Sequence, residues 1–239
     1  MNNSSNEAEI NKTDLLVSAA KSIVGIAPFA GPLLVELVGT FIPNQRIDRL
    51  TKYVYELDKR LSLFEAAFLK EETIKDDCID LFEEGFRQAA RALSDDRRQY
   101  IASVVEKGLD SEHISYIETK HLLQLLENLN DAEVIWLRFY SNPELGGDRE
   151  FREIHKNILA PVTAVIGSSQ DEIDKEALQS SYTDHLERLG LIRPHYRIDR
   201  KTGIPEFDSF SGKQKISYHD TTILGELLLR FIGLHKGES

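Results

Sequence analysis

Residues 47–68 read IDRLTKYVYELDKRLSLFEAAF and carry the clearest periodicity in the chain. Apolar residues recur at alternating spacings of three and four, which is typical of an amphipathic helix with a heptad seam. The residues between them carry charges of both signs, as a solvated helix surface does. Phenylalanine at the seam favours packing inside a helical bundle over a coiled-coil dimer. The seam consists of Ile47, Leu50, Val54, Leu57, Leu61, Phe64 and Phe68.

The segment before this helix, Ile23–Ile42, reads IVGIAPFAGPLLVELVGTFI and has Glu36 as its single charge. Its length fits one bilayer crossing, but glycines and prolines between residues 25 and 32 break it into two short pieces. We therefore predict an apolar helical hairpin, covered by the helical body or by another subunit, with membrane contact as the alternative. The candidate contact residues are Phe29, Leu33, Leu34, Leu37 and Phe41.

The composition is that of a globular protein, with 41% hydrophobic and 29% charged residues among 239. The formal net charge of −11 argues against nucleic acid as a partner of the whole chain, because phosphates repel a net anion. The one cysteine, Cys78, cannot form an internal disulfide, so we expect a reducing compartment.

We predict three segments in a mainly α fold: a disordered lead over 1–12, a helical body over 13–129 and a winged-helix-like domain over 130–239. Ser94 is a candidate N-cap, and Gly108 is expected to end the helix that follows it. Leu81, Phe82, Phe86, Ala89 and Leu93 are expected to face inward. After the seam, helices are predicted over 72–92, 95–107, 111–129, 131–140 (capped by Asn130-Asp131) and 151–166 (bent at Pro161).

The last part of the chain alternates between helix and strand patterns. Leu178, Tyr182, Leu186 and Leu189 mark the inward face of the first helix, and Asp220 or Thr221 is expected to cap the last one. Helix, two-stranded β wing and helix is the order of a winged-helix unit. The predicted elements are helix 171–189, strand 191–198, turn 199–203, loop 207–212, strand 215–219 and helix 223–234.

No catalytic constellation is present in the sequence. The seven histidines are scattered, with no HExxH pair, and the phosphate-binding and nucleophile-elbow glycine motifs are absent. The carboxylates fall on amphipathic helices, where they serve as solvated faces. We therefore predict no catalytic, cofactor-binding or metal-binding residue, no small-molecule ligand and a non-enzymatic role.

The predicted wing is locally basic, with seven cations against three carboxylates between residues 188 and 215. Winged helices that bind DNA place such cations on phosphates. The preceding helix, however, is rich in Asp and Glu and would be repelled by a major groove. We therefore favour contact with protein over specific contact with DNA. The candidate contact residues are Arg188, Arg193, Arg197, Arg200, Lys201, Lys213 and Lys215.

Tyr182–Ile192 (YTDHLERLGLI) and Ile216–Arg230 (ISYHDTTILGELLLR) resemble the end of abortive-infection alpha-type bacterial proteins, and Leu126–Arg138 resembles the helix that opens their C-terminal unit. The segment 219–221 departs from the Leu-Thr-Pro run of that family. The apolar segment followed by Ile42–Leu50 resembles the front of phage-defence-associated proteins. The resemblance implies a helical body, a C-terminal winged-helix-like unit and a non-enzymatic role in phage defence.

Three functions follow as hypotheses. The leading one is a bacterial interaction protein, an abortive-infection-like effector or sensor that works through a protein partner or as a homo-oligomer. A winged-helix transcription regulator is the second, and a hydrolase with an unrecognised site is the third. A membrane-active effector that uses residues 23–42 is a variant of the first. We expect a cytoplasmic protein, with peripheral attachment to the inner membrane as the alternative.

Overall fold

The computed structural model describes residues 47–61, 76–111, 113–142, 148–165, 167–209 and 212–235. Over these residues the protein is mainly helical with a small two-stranded antiparallel sheet near the C-terminus, which confirms the predicted fold class at that level. The strands are β1 (Ile192–Tyr196) and β2 (Ile216–Thr221). The helices are α1 (Ile47–Leu61), α2 (Asp76–Arg91), α3 (Asp95–Asp110), α4 (Tyr116–Asn128), α5 (Asp131–Ser141), α6 (Arg149–Ile154), α7 (Lys156–Leu159), α8 (Gln170–Arg188) and α9 (Ile223–Phe231).

The described residues divide into two compact units. The first comprises those up to Glu127 together with Phe231–Gly233, and the second comprises those from Asn128 to Arg230 together with the described residues from Leu234 onward. The first unit therefore contains α1 to α3 and nearly all of α4. The second contains α5 to α8, the sheet and most of α9.

Helix α1 packs its apolar stripe on α2 and α3. Leu50, Val54, Leu57 and Leu61 are at most 1% exposed, so this part of the predicted seam is confirmed. Tyr53 lies between seam positions and is also fully buried. The buried stripe is therefore wider than the two positions per heptad of a coiled coil, as expected for a helix inside a bundle.

Several predicted features lie outside the described residues. They are the lead 1–12, the apolar segment 23–42 and the seam residues Phe64 and Phe68. Across the part of the chain that the structure describes, no helix combines the length and apolar character needed to cross a bilayer. The candidate contact residues that fall outside are Phe29, Leu33, Leu34, Leu37 and Phe41.

The inward face predicted for α2 is confirmed at four positions and wrong at the fifth. Leu81, Phe82, Phe86 and Ala89 are at most 3% exposed, whereas Leu93 is 82% exposed. The helix ends at Arg91, so Leu93 no longer follows the helical period that would turn it inward.

Helix α3 begins as predicted but does not end as predicted. Ser94 is its N-cap, since the Arg97 N–H donates to Ser94 Oγ over 3.1 Å. Gly108 does not end the helix, which continues to Asp110. A Cβ at Gly108 would lie 2.2 Å from Thr119 Cγ2, so the glycine is required by the close contact between α3 and α4.

Two further helix starts show the value of reciprocal caps. Helix α5 starts at Asp131 behind a capping box in which Asn130 and Glu133 bond each other's backbone N–H, which confirms the predicted start. Helix α4 starts at Tyr116 and not at Ser111. Ser111 Oγ accepts the N–H groups of His113 and Ile114 in a turn before the helix. Ser115 and Glu118 bond each other's backbone N–H at the helix start.

The helix predicted over 151–166 is wrong in length. The structure has two short helices, α6 and α7, and the second ends at Leu159, before Pro161. Helices α5 and α6 exchange cation–π contacts: the Arg138 guanidinium lies 4.2 Å from the Phe151 ring centre, and that of Arg152 lies 4.8 Å from Phe139.

Helix α8 starts behind a capping box formed by Ser169 and Glu172. Its residue Leu186 is fully buried, but Leu178, also predicted to face inward, is 54% exposed. The next helix, α9, is capped by neither Asp220 nor Thr221. Thr222 has that role, because its Oγ1 accepts the Gly225 N–H over 3.1 Å.

Candidate interaction surface on the β hairpin

Strands β1 and β2 form an antiparallel hairpin. We call its regular first part, residues 192–194 and 219–221, the base. The pairing runs from Ile192 opposite Thr221 to Tyr196 opposite Ile216, and a bulge interrupts the register between His195 and Tyr196. A bulge adds twist and redirects the side chains that follow it. The hairpin beyond the bulge therefore differs in geometry from its base.

Histidine–carboxylate pairs tie the base of the hairpin to the helices of the second unit. His219 Nε2 lies 2.7 Å from Glu187 Oε1, joining β2 to α8. His185 Nδ1 lies 2.7 Å from Glu133 Oε1, joining α8 to α5. The ring of Tyr140 packs on that of His219, with centroids 5.5 Å apart. These contacts fix the direction in which the hairpin leaves the unit.

Tyr140 adds a polar link between α5 and α8. Its hydroxyl lies 3.1 Å from Thr183 Oγ1. Burial raises the pKa of the Tyr140 hydroxyl, while the hydrogen bond with Thr183 opposes that rise. The hydroxyl therefore stays protonated at physiological pH and acts as a hydrogen-bonding group at this junction.

Arg193 is bound within the hairpin. Its Nε and Nη2 donate to the two carboxylate oxygens of Asp220 over 2.9 and 3.1 Å, and His195 Nε2 lies 3.1 Å from the same carboxylate. The hydrogen bond from Arg193, followed by the contact with His195, lowers the pKa of Asp220. Asp220 in turn raises the pKa of Arg193. Of the predicted contact cations, Arg193 thus serves the fold of the hairpin.

Beyond the base, the chain makes two turns of the same kind. We call residues 195–218 the hairpin tip; residues 210 and 211 lie outside the described part. In the first turn Gly203 N–H donates to Asp199 O, and in the second Gly212 N–H donates to Asp208 O. Both glycines have a positive φ, near 70°, which the chain reversal requires. The first turn confirms the prediction for 199–203.

The two turns bring three stretches of backbone together. Arg197 N–H donates to Lys215 O, Glu206 N–H donates to Arg197 O, and Lys215 N–H donates to Glu206 O, each within 2.9 Å. Residues 205–207 therefore lie between two stretches of backbone and bond to both. Residue 207 is the start of the predicted loop 207–212. The three stretches of the tip are therefore held together by backbone hydrogen bonds.

Large apolar side chains are exposed on the hairpin tip. Tyr196 and Ile216 are opposite each other across the strands, and the ring of Tyr218 stacks on His195 at 4.4 Å. An exposed cluster of this kind is characteristic of a surface that binds a partner. The exposed residues are Tyr196 (46%), Ile198 (59%), Ile204 (61%), Phe207 (53%), Ile216 (41%) and Tyr218 (51%).

Five of the predicted contact cations lie on the same tip, and two lie elsewhere. Arg193 is at the base, and Arg188 is at the end of α8, where its Nε donates to Asp184 O over 3.3 Å. The five on the tip are exposed and interleaved with the apolar side chains. They are Arg197, Arg200, Lys201, Lys213 and Lys215.

The prediction from sequence named the cations and missed the apolar side chains. Tyr196, Ile198, Ile216 and Tyr218 alternate with polar residues, a pattern that normally indicates a strand with one buried face. The hairpin is only two-stranded, and these side chains are exposed in the structure. A repeated signal does exist: an apolar residue, Asp, three residues and Gly occur at 198–203 and again at 207–212.

The rest of the described chain offers weaker sites. Within those residues no group of three or more His, Cys, Asp or Glu side chains could hold a metal ion. An open cleft of about 490 Å³ in the first unit is lined by Asp80, Lys120 and His121, among others, but Asp80 and Lys120 bind each other across it. The hairpin tip is therefore the candidate functional surface.

No protein-family model, no curated protein and no solved structure matches this chain.

Proposed function

We propose that this protein is a non-enzymatic interaction protein that acts through protein contacts made by the hairpin tip. The observation that carries the proposal is the presence of six exposed apolar side chains and five exposed cations on the same hairpin tip. Protein interfaces combine an apolar, aromatic-rich centre with a polar rim, and Arg and Tyr are enriched in them. The tip has this composition.

The aliphatic side chains favour a protein partner over nucleic acid. Ile198, Ile204 and Ile216 contribute half of the exposed apolar set. Interfaces with nucleic acid are more polar and more positively charged than interfaces between proteins. An isoleucine on a phosphate-binding surface would displace water without gaining a hydrogen bond, whereas on a protein interface it would bury apolar area.

A second candidate function is nucleic-acid binding by a winged-helix-like unit. It is favoured by the five cations and by the aromatic side chains of Tyr196, Phe207 and Tyr218, because bases stack on aromatic rings beside a basic groove. The order of helix, strand, strand and helix also agrees with it. The net charge of −11 and the acidic start of α8 count against it.

Site-specific photo-crosslinking in living cells tests the proposal. A photoreactive phenylalanine analogue replaces Ile204 on the tip, and in the control it replaces Leu93, which is 82% exposed in the first unit. We expect discrete protease-sensitive adducts from position 204 and none from position 93. Nuclease-sensitive adducts from position 204 would favour the second candidate, and equal labelling at both positions would refute the proposal.

The cellular role that we propose is phage defence. Its support is the resemblance of residues 182–192 and 216–230 to abortive-infection alpha-type proteins. Bacteria that carry the gene are expected to give fewer plaques than bacteria without it. The double variant I204D/F207D is expected to restore plaque numbers, because charges on the apolar tip would prevent a partner from binding. Equal plaque numbers with and without the gene, over a broad phage panel, would contradict this role.

A further inference from the structure

The partner that the hairpin tip fits must be both acidic and apolar. The tip carries five cations beside its exposed apolar side chains, against Asp199, Glu206 and Asp208, and Asp199 is used within its own turn, where it accepts the backbone N–H of Lys201 over 2.7 Å. A basic apolar surface binds best to one whose charges are opposite and whose apolar residues can be buried.

The first half of α8, residues 170–179, has this complementary composition. Ile173 and Leu178 are 43% and 54% exposed on it. They are flanked by Asp171, Glu172, Asp174 and Glu176, against the single cation Lys175. The helix is held at its start by the capping box of Ser169 and Glu172, so the acidic surface is a formed helix.

We infer that the hairpin tip of one copy of this chain binds the first half of α8 of a second copy. This inference rests on the proposed function and names the partner of the same surface. Both surfaces belong to the second unit and both are exposed in the structure, so within one chain they do not cover each other. Each copy therefore carries one basic apolar surface and one acidic apolar surface.

The apolar segment 23–42 is a weaker occupant of the tip. It has one charge, Glu36, for the five cations around the apolar side chains. Burial against that segment would desolvate Arg197, Arg200 and Lys201 beside a single carboxylate, which is costly. Glu172 is held in the capping box, so the first half of α8 offers Asp171, Asp174 and Glu176 beside two exposed aliphatic side chains.

Contact between two different surfaces of identical copies is a heterologous interface unless a two-fold axis makes it reciprocal. Such an interface closes into a ring or continues as a filament, depending on the rotation between neighbours. Because charges surround the contact, association is expected to weaken as salt screens them. A two-fold axis closes the same contact into a dimer in which each tip binds the α8 of the other copy.

Charge reversal on each surface provides the test. One variant of the full chain carries R197E and R200E on the tip, and another carries D174K and E176K on α8. All four positions are on the hairpin tip or on the first half of α8, and none belongs to the buried core. R149E, at an exposed position of α6, is the matched control. Sedimentation velocity over a wide concentration range measures self-association, and circular dichroism checks that each variant is folded.

We expect the parent chain and R149E to self-associate, and each double variant to associate about 100-fold more weakly, because like charges would then face each other. An equimolar mixture of the two double variants is expected to associate again. The native α8 of one then meets the native tip of the other, and the two reversed surfaces also match.

The inference fails if the parent chain stays a single copy at every concentration, or if the mixture does not reassociate. It also fails if the double variants associate as the parent does. Crosslinking from position 204 separates this failure from that of the proposed function. Adducts of twice the chain mass support the inference, while adducts to a different protein leave the proposed function standing and overturn the second copy as partner.

Discussion

Gly108 allows close contact between α3 and α4 because it has no side chain. The nearest atoms to a Cβ at this position would be Cγ2 and Oγ1 of Thr119, at 2.2 and 2.8 Å. Thr119 is fully buried and is held by its hydroxyl, which donates to Ser115 O over 3.1 Å. It cannot turn away from Gly108 without losing that hydrogen bond in the interior.

We predict that Gly108→Ala destabilises the protein by about 1 to 3 kcal/mol, because overpacking forces the two helices apart. Alanine has the higher helix propensity, so propensity alone predicts the opposite sign. Urea unfolding followed by circular dichroism measures the change. Gln99→Ala, at an exposed position of the same helix, is the control and is expected to stay within about 0.5 kcal/mol of the parent. A stabilised Gly108→Ala protein would show that α3 and α4 are not in close contact here.

Asp220 makes the stability of the second unit depend on acid. The hydrogen bond from Arg193, with the contact to His195, lowers its pKa below the ordinary value of 3.8. A carboxyl whose pKa is lower in the folded state stabilises the fold above its unfolded pKa. That contribution is lost as the pH falls through the folded pKa.

We predict that Asp220→Asn lowers the free energy of unfolding at neutral pH. The variant is also expected to lose less stability than the parent as the pH falls below 3.8. Trp136, the one tryptophan of the chain, lies buried in α5 of the second unit, so its fluorescence reports the unfolding of that unit. Glu206→Gln on the hairpin tip is the control. If the two variants gave parallel curves of stability against pH, the pair of Arg193 and Asp220 would have no such role.

At the scale of the element, α1 shows how a sequence period becomes a buried face. Four seam residues are at most 1% exposed, while Tyr55 on the opposite face is 54% exposed. A side chain buried in this way contributes about 1.5 to 3 kcal/mol to stability through the hydrophobic effect. The packing of α1 on α2 and α3 therefore depends on the seam.

We predict that Leu57→Asp destabilises the first unit by about 3 to 5 kcal/mol, because a buried charge without a partner is strongly unfavourable. Tyr55→Asp places the same charge on the exposed face of the same helix and is expected to cost less than about 0.5 kcal/mol. Thermal unfolding followed by circular dichroism distinguishes the two. A melting temperature of Leu57→Asp close to that of Tyr55→Asp would show that the seam is not a core.

In contrast to α1, the hairpin tip is an element whose apolar side chains are exposed. Its backbone is satisfied by its own turns and by three cross-connecting hydrogen bonds, and its base is tied to α8 by His219 and Glu187. None of these contacts needs the apolar side chains of the tip. Those side chains are 41% to 61% exposed, which leaves a large part of their surface for a partner.

At the scale of the whole molecule, the distribution of charge favours a protein partner over duplex DNA. The chain carries 29 cations and 40 carboxylates, yet the tip has five cations in a small area. A duplex drawn to the tip would be repelled by the rest of the chain. A protein surface of limited extent meets the tip alone, so it does not experience that repulsion to the same degree.

We predict that the full-length protein shows no preferred duplex sequence at physiological salt, because net repulsion opposes the phosphate contacts on which binding depends. Fluorescence anisotropy with a randomised duplex pool, followed by selection, measures this. Recovery of one preferred sequence, with binding lost in Arg197→Ala and Arg200→Ala, would reverse the order of the two candidate functions.

The sequence alone predicted the features that depend on neighbours along the chain. The caps at Ser94 and Asn130 and the turn at Asp199–Gly203 were found because their hydrogen bonds join residues a few positions apart. The seam of α1 was found because helical geometry converts spacing into a face. The cations of the tip could be read directly as charges in one stretch.

Tertiary structure alone decided which of these features meet and which are covered. Gly108 reads as a helix end until Thr119 of the next helix is placed against it, and Leu178 was predicted to face inward although it is exposed. Exposure depends on whether another part of the chain covers a side chain, and a local period has no information about that. The surface that we propose as functional is therefore the one whose pattern predicts burial and whose side chains are exposed.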